Sequence, residues 1–287
     1  MLSVLTPPMT TALTTVAAVR AELKLTTEAH DLALERLIAD ATAAIEARLD
    51  RVCARRKLRE TLAGVDDTIL QLAMPPVAHV ARVTCRGEVV TDYEVSDANA
   101  GHLYREAGWA SREAYRSLLS ESPMPGHGPR DWGIEYFSAW FLPGDNYGPV
   151  TTIAAVAATK TLTDAAAAFP ALLAPGDVIE LVSDAGNNIG ARTVVSATSS
   201  EIVVQEALVE EAAGPAIALR IRTLPRDIER ACIETSAAWW AAAGRDPGIA
   251  SKRVADVTIN YRDEADAGGA GHLPPRALGL LTPWVRT

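Results

Sequence analysis

The chain has 287 residues, 48% hydrophobic and 22% charged, with a mean hydropathy of +0.08. That balance excludes intrinsic disorder and allows about two domains. The net charge is −9: residues 1–147 hold 15 Lys and Arg against 20 Asp and Glu, residues 148–223 hold 4 against 8, and residues 224–287 hold 8 against 8. No part is basic enough for a broad grip on nucleic acid, which needs clustered cations to release counterions.

The opening MLSVLTPPMTTALTTVAAVR lacks both a charged leader and an unbroken apolar stretch, so it does not read as a secretion signal. Thr14 or Thr15 can cap a short helix to about Leu23. Thr26 and Thr27 can cap a longer one, with Glu28 and Asp31 in its first turn. There Leu34, Leu37, Ile38, Ala41, Ile45 and Leu49 recur at spacings of three and four, one apolar stripe. Arg51, Arg55, Arg56, Lys57 and Arg59 follow as the chain's one local basic run. It reads either as a cationic helix end or as a secondary contact patch.

From Lys57 the period falls to two. KLRETLAG, TILQL, VAHVARVTC, DYEVS, HLYRE and WGIEYFSAWFL are short strand candidates, with Pro75 and Pro76 between two of them. SREAYRSLLSE, within 108–130, is an ambiguous helix candidate. The stretch 148–223 is poor in basic residues and alternates VIELV, ARTVVSAT, EIVVQ and AIALRI with turn residues, the pattern of a small closed β-barrel. Its most apolar part, near Ile153 to Ala174, is broken by Lys160, Asp164 and Pro170, so no membrane span is expected. After Pro225 comes the most apolar helix, with Ile228, Ala231, Cys232, Thr235, Ala238, Trp239 and Ala242 on one face and Gly244 as its stop. ADVTINY reads as a strand, EADAGGAGH as a flexible connection, and LPPRALGLLTPWVR as a short closing helix with an amphipathic tail.

Catalytic and metal chemistry find no signature. The five histidines show no HExxH spacing, and neither a GxSxG elbow nor a P-loop is present. The cysteines Cys53, Cys85 and Cys232 have no CxxC pairing, which points to synthesis in a reducing compartment. Asp66 and Asp67 read as a turn before a metal pair. Asp177, Asn187 and Asn188 lack EF-hand spacing and read as turn residues that tolerate positive φ. No catalytic residue, metal or cofactor is expected. The chain end is different: Leu278, Leu280, Leu281, Trp284 and Arg286 follow a glycine run and are anchors of the type that dominate interfaces. They serve either a partner or their own subunit's helices.

The outer parts, 1–147 and 224–287, resemble the head–tail connector (adaptor) proteins of tailed bacteriophages and gene transfer agents. The likeness lies in an ordered series: LTTVAAVRAELKL, DLALERLIADATAAIEARLDR, RETL, ILQLAMPPVAHVARVT, YEV, LPRDIERACIETSAAWW, RVADVTINY and LPPRALGLLTPWVR. Where that family runs almost directly from its last strand to the LP helix, this chain inserts 148–223. The insert resembles small β-barrel modules of phage tail and neck proteins through Phe169, Gly176, Asp177, Ile179, Leu181, Asn187, Asn188, Gly190 and Thr193–Ser196, with Ser183–Gly186 replacing a simpler turn.

The expected fold class is α+β: a helical-bundle connector core with short antiparallel strands (1–147 and 224–287), interrupted by a small all-β barrel (148–223). The resemblance implies a non-enzymatic ring of about twelve identical subunits at the head–tail junction of a virion, made in the host bacterial cytoplasm. Its partners would be the portal protein, a tail-side stopper or terminator protein, and packaged DNA passing without sequence-specific contact. An acidic balance suits such a channel wall. The alternative is a tail or neck accessory that binds a receptor or glycan through the barrel. Only Phe169 offers an aromatic platform there.

Overall fold

A computed structural model describes residues 1–110, 131–221, 223–243, 251–254, 257–260 and 273–285, the two stretches 251–254 and 257–260 by backbone alone. The ambiguous 111–130 region, Gly244, the glycine connection and Arg286 lie outside the described residues. The chain divides into two compact units.

The first unit comprises Met1–Met9, Ala54–Phe141 and Asp145–Arg222. Its framework is a five-stranded antiparallel sheet of β1 (Leu2–Thr6), β2 (Arg56–Leu62), β4 (Val77–Cys85), β5 (Glu88–Val90) and β8 (Trp132–Ser138), in the order β1-β2-β8-β4-β5. In β4 the buried residues Val77, Val80 and Val83 recur every three positions, where an even strand alternates every two. Two bulges explain this: pairing with β8 slips between Val77 and His79, and again between Val80 and Arg82. Each slip returns a valine to the core face. A three-stranded sheet of β3 (Ile69–Gln71), β7 (His102–Tyr104) and β6 (Glu94–Asp97) contributes Leu70 and Leu103 to the same core. Trp109 and Trp132 meet there edge to face, centroids 4.9 Å apart. The buried Glu60 carboxylate accepts from the Tyr136 hydroxyl at 3.1 Å and the Ala73 amide at 3.0 Å.

The rest of this unit is a seven-stranded antiparallel sheet, ordered β10-β11-β14-β13-β12-β15-β9. Its strands are β9 (Tyr147–Val150), β10 (Ile153–Val156), β11 (Thr161–Asp164), β12 (Val178–Ser183), β13 (Gly190–Ala197), β14 (Glu201–Val204) and β15 (Ile217–Arg220). The two edge strands, β9 and β10, are joined by only Thr151 and Thr152. Val150 and Ile153, three residues apart, can be separated by no more than about 11 Å, so the sheet curls until its edges meet at that corner. Ile153, Leu162, Ile179, Leu181, Ile202, Ile217 and Leu219 fill the inside, together with Phe137 and Phe141 from the end of β8 and just beyond it.

Polar pins hold the curl. Asn188, fully buried, donates to the Glu211 carboxylate at 2.8 Å and to the Val209 carbonyl, and Ser183 donates to the same carboxylate. Neither Asp177, Asn187 nor Asn188 has a positive φ; Gly186 and Gly190 supply the left-handed turns. At the β9–β10 corner Asp164 accepts from the Tyr147 hydroxyl at 2.6 Å and from the amides of Ala166 and Ala168. Burial alone would raise the Asp164 pKa, but the bonds from Tyr147, Ala166 and Ala168, with the Thr152 hydroxyl nearby, outweigh it and hold it at about 2.

The second unit comprises Thr10–Cys53, Leu142–Gly144 and Thr223–Thr287. Helix α1 (Val16–Glu22) is capped by Thr15, whose hydroxyl accepts from the Ala18 amide. Helix α2 (Asp31–Leu49) begins four residues after Thr27 and takes no side-chain cap; Arg20 instead pairs with Glu28 and Asp31. Its buried face is Leu34, Ile38, Ala41, Thr42, Ile45 and Leu49. Helix α3 (Arg226–Ala243) buries Ile228, Ala231, Cys232, Thr235, Ser236 and Trp239, while Ala238 and Ala242 are half-buried. Arg230 reaches Glu22 with two bonds of 2.7 and 2.9 Å, and α2 packs on α3. Burial pushes the Cys232 thiol up to about 12, and burial beside Glu46 does the same for Cys53, so both thiols stay neutral. A hairpin of β16 (Ser251–Val254) and β17 (Val257–Asn260) and helix α4 (Pro275–Leu281) complete the unit.

A helical-bundle core is therefore not what this sequence builds: the protein is mainly β. Among the described residues there are four α-helices, two of them seven residues long. The segments read as short accessory strands form sheets with an aromatic core of their own, centred on Trp109, Trp132 and Tyr136.

Two outcomes follow from this packing. Trp239 is 7% exposed, and Trp239→Ala should destabilise by about 3–5 kcal/mol in denaturant melts followed by helical circular dichroism. Asp164 has a folded pKa below its unfolded value, so it adds stability above about pH 4 that drains as pH falls toward 2. The gap in melting temperature between the parent and Asp164→Asn should accordingly be widest near neutrality and shrink as pH falls from 5 to 2.

Candidate functional site

The C-terminal anchors divide into an inner and an outer set. Pro274 precedes α4 in an extended conformation (φ −58°, ψ 148°), Pro275 is its first residue, and a 3-10 turn (Thr282–Trp284) closes it. Ala277 and Leu281, four apart on one face, are fully buried, and α4 packs on α3. Arg276 fixes the contact through Glu234 at 3.2 Å. Leu278 stands 37% exposed on the other side, with Leu280 and Trp284 half-buried. Leu281 is thus core, whereas Leu278, Leu280 and Trp284 keep surface that a partner could cover. Arg286 is outside the described residues.

The basic run does not lie together on one helix end. Helix α2 stops at Leu49, with Asp50 left-handed at its cap, and Arg56, Lys57 and Arg59 belong to β2. Lys57 and Arg59, two apart and so on one side of the strand, both approach Glu135 of β8 at 3.8 Å. Arg56 donates to the Ala54 carbonyl, and Arg51 is half-buried beyond the helix. Arg59 is the most open of the strand's cations at 54%.

Arg55 departs from the others altogether. Its side chain is 1% exposed and is buried where the five-stranded and the curled seven-stranded sheets meet. Nη2 donates to Asp177 Oδ2 at 2.8 Å and Nε donates to the Leu172 carbonyl at 3.0 Å. The guanidinium lies 4.4 Å from the Phe141 ring centre and 5.4 Å from that of Phe137. Asp177 also accepts from the Ala174 amide at 2.7 Å, and the Arg55 amide donates to the Trp140 carbonyl at 2.8 Å. Burial lowers the Arg55 pKa and raises that of Asp177, while each partner's charge opposes the shift in the other. Nearby, burial lowers the His79 pKa against the pull of Asp177. Arg55 is therefore not part of an exposed contact patch; it joins the framework to the segment 172–177. Sequence reading assigned Arg55 and Asp177 separate, local roles, because no periodicity links positions 122 residues apart.

Among the described residues no cluster of three or more His, Cys, Asp or Glu is placed to hold a metal, and no helix is long and apolar enough to cross a membrane. No known family's sequence profile matches the chain, and no curated protein matches it. Eight chains among solved structures are similar, three of them as follows. One, from the neck of an empty GTA particle computed with C6 symmetry, has 24% identity and a TM-score of 0.36, covering 50% of this chain and 76% of its own. Another, from the virion of a native gene transfer agent particle, has 16% identity and a TM-score of 0.33, covering 100% and 96%. The third, from the neck of a native GTA particle computed with C12 symmetry, has 15% identity and a TM-score of 0.33 with the same coverage.

The Arg55 node makes a direct test. Arg55→Met leaves Asp177 buried without its cation and should cost about 3–5 kcal/mol in chemical denaturation. Adding Asp177→Asn should recover part of that loss, because the orphaned charge is then gone; additive losses would mean the two residues act independently.

Proposed function

We propose that this chain is a structural subunit of the head-to-tail junction of a tailed phage or phage-like particle: an adaptor that forms a ring below the portal and carries the DNA channel on toward the tail. In this reading residues 148–223 are an insertion into the adaptor framework. The observation that supports it most is the reunion of the chain's outer segments. Thr10–Cys53 of the N-terminal part and Thr223–Thr287 of the C-terminal part build one unit, joined by Arg230 with Glu22 and by Thr42 beside Cys232 at 4.0 Å; the strands at 54–141 belong to the same unit as the insertion. The docking role falls to Leu278, Leu280 and Trp284, whose neighbours Ala277 and Leu281 anchor the helix from within. Receptor or glycan binding by the insert finds less support: Phe169 is 3% exposed and packs against Tyr147 inside the curled sheet.

Because Leu281 is core, point variants test docking better than truncation. Trp284→Ala and Leu278→Arg should leave the melting temperature within a few degrees of the parent. Co-sedimentation with the cognate portal should weaken by about 2 kcal/mol, roughly 30-fold, if Trp284 is a hot spot. Failure of the parent itself to form rings or to bind the portal under electron microscopy would overturn the adaptor reading.

A further inference from the structure

The edge strand β1 carries an unusual surface. It is the outermost strand of the five-stranded sheet, and Leu2, Val4 and Leu5 are 40%, 53% and 44% exposed. The sequence holds no charged residue before Arg20. Edge strands are ordinarily guarded by charges, inward lysines or a covering loop, because their free amides and carbonyls template further pairing. Leu2 and Val4 stand opposite Glu60 and Leu58, which are 5% and 1% exposed, so they extend the buried face of the sheet beyond its cover.

Hydrogen-bond alternation shows what can cover it. The Thr61 amide donates to the Met1 carbonyl at 2.8 Å and the Met1 ammonium donates to the Thr61 carbonyl at 2.7 Å, so Met1 faces β2. Residues of an antiparallel pair alternate, so Ser3 also faces β2 while Leu2 and Val4 direct their N–H and C=O groups outward. We propose that β1 pairs with β1 of a second copy of this chain, antiparallel about a two-fold axis through Ser3. That register sets Leu2 against Val4 of the second copy and Val4 against Leu2, satisfying all eight outward groups in four bonds. It also gathers four apolar side chains on one face, while each Leu5 meets Met1 of the other copy across the paired Ser3 residues. The other free edge competes poorly. β5 has three residues, and the five alternating strands leave β1 and β5 pointing the same way, so an end-to-end join would be parallel and short. This contact is independent of the adaptor reading; it is isologous and closes on itself.

Five residues a side is far below the roughly 20–30 of a standard interface, so dissociation in the micromolar range is expected. Sedimentation velocity on the full chain from about 1 to 200 µM should show a monomer–dimer equilibrium across that range. Val4→Pro removes an outward N–H without touching a β1–β2 bond, and should leave a folded monomer at every concentration. Ser3→Cys should form a disulfide-linked dimer under mild oxidation, since the paired Ser3 positions have Cα atoms about 4.5 Å apart in this register. A parent that stays monomeric, a dimer indifferent to Val4→Pro, or a Ser3→Cys chain that does not cross-link would each overturn the proposal.

Discussion

A guanidinium removed from water holds the first unit together. Burying Arg55 carries a penalty of several kcal/mol. It is tolerated because Asp177, the Leu172 carbonyl and two phenyl faces all converge on it. Those partners come from distant parts of the chain: Phe137 and Phe141 from the end of β8, Leu172 and Asp177 from the loop that leads into β12. The framework sheet and the curled sheet therefore share an interior, with Phe137 and Phe141 in the same apolar cluster as Ile179 and Val194. Neither can shift at this point without parting Arg55 from Asp177, which leaves a buried charge unpaired, or uncovering Phe137 and Phe141.

The curled sheet has its own closing devices, and they too are polar. Asp164 gathers a hydroxyl and two amides at the corner where the edges meet, and Glu211 binds Asn188 and Ser183 across strands. Apolar burial drives such a sheet and its alternation fixes which face each residue takes, but a slip of two residues leaves that alternation intact. Buried carboxylates with fixed partners do not tolerate such a slip, because each misplaced residue would leave an unsatisfied charge. The second unit is held differently, by helix faces matched at spacings of three and four and by the Arg230–Glu22 pair bridging segments 208 residues apart.

Local signals were legible in the sequence wherever a short-range rule governs. Thr15 caps α1, the stripe from Leu34 to Leu49 faces inward, and VAHVARVTC forms β4 over its full length. Long-range chemistry was not. The strand at Leu2–Thr6 is five residues long and pairs with β2, distant in sequence, so no local hairpin signal marks it. The hairpin of β10 and β11 was hidden in an Ala- and Thr-rich run with no clear alternation. Helix α2 starts at Asp31 despite two threonines placed to cap it earlier, since Arg20 draws Glu28 and Asp31 into ion pairs instead. The mainly β balance is not legible for a related reason: periodicity reveals strands one at a time, but not that Trp109, Trp132 and Tyr136 give them a common core. For the docking segment, the residue types were visible, while the division between buried Leu281 and exposed Leu278 follows from the pitch of α4 against α3.

Arg55 and Asp177 should couple the five-stranded and the curled sheets into one cooperative body. Native-state hydrogen exchange tests that coupling residue by residue. The Ala174 amide, bonded to Asp177, and the Arg55 amide, bonded to the Trp140 carbonyl, should exchange through the same opening as the core amides of β2 and β8. Their rates should show the same dependence on denaturant as those strands. If Ala174 instead exchanges through a local opening that denaturant does not accelerate, while β2 and β8 remain protected, the ion pair does not couple the sheets.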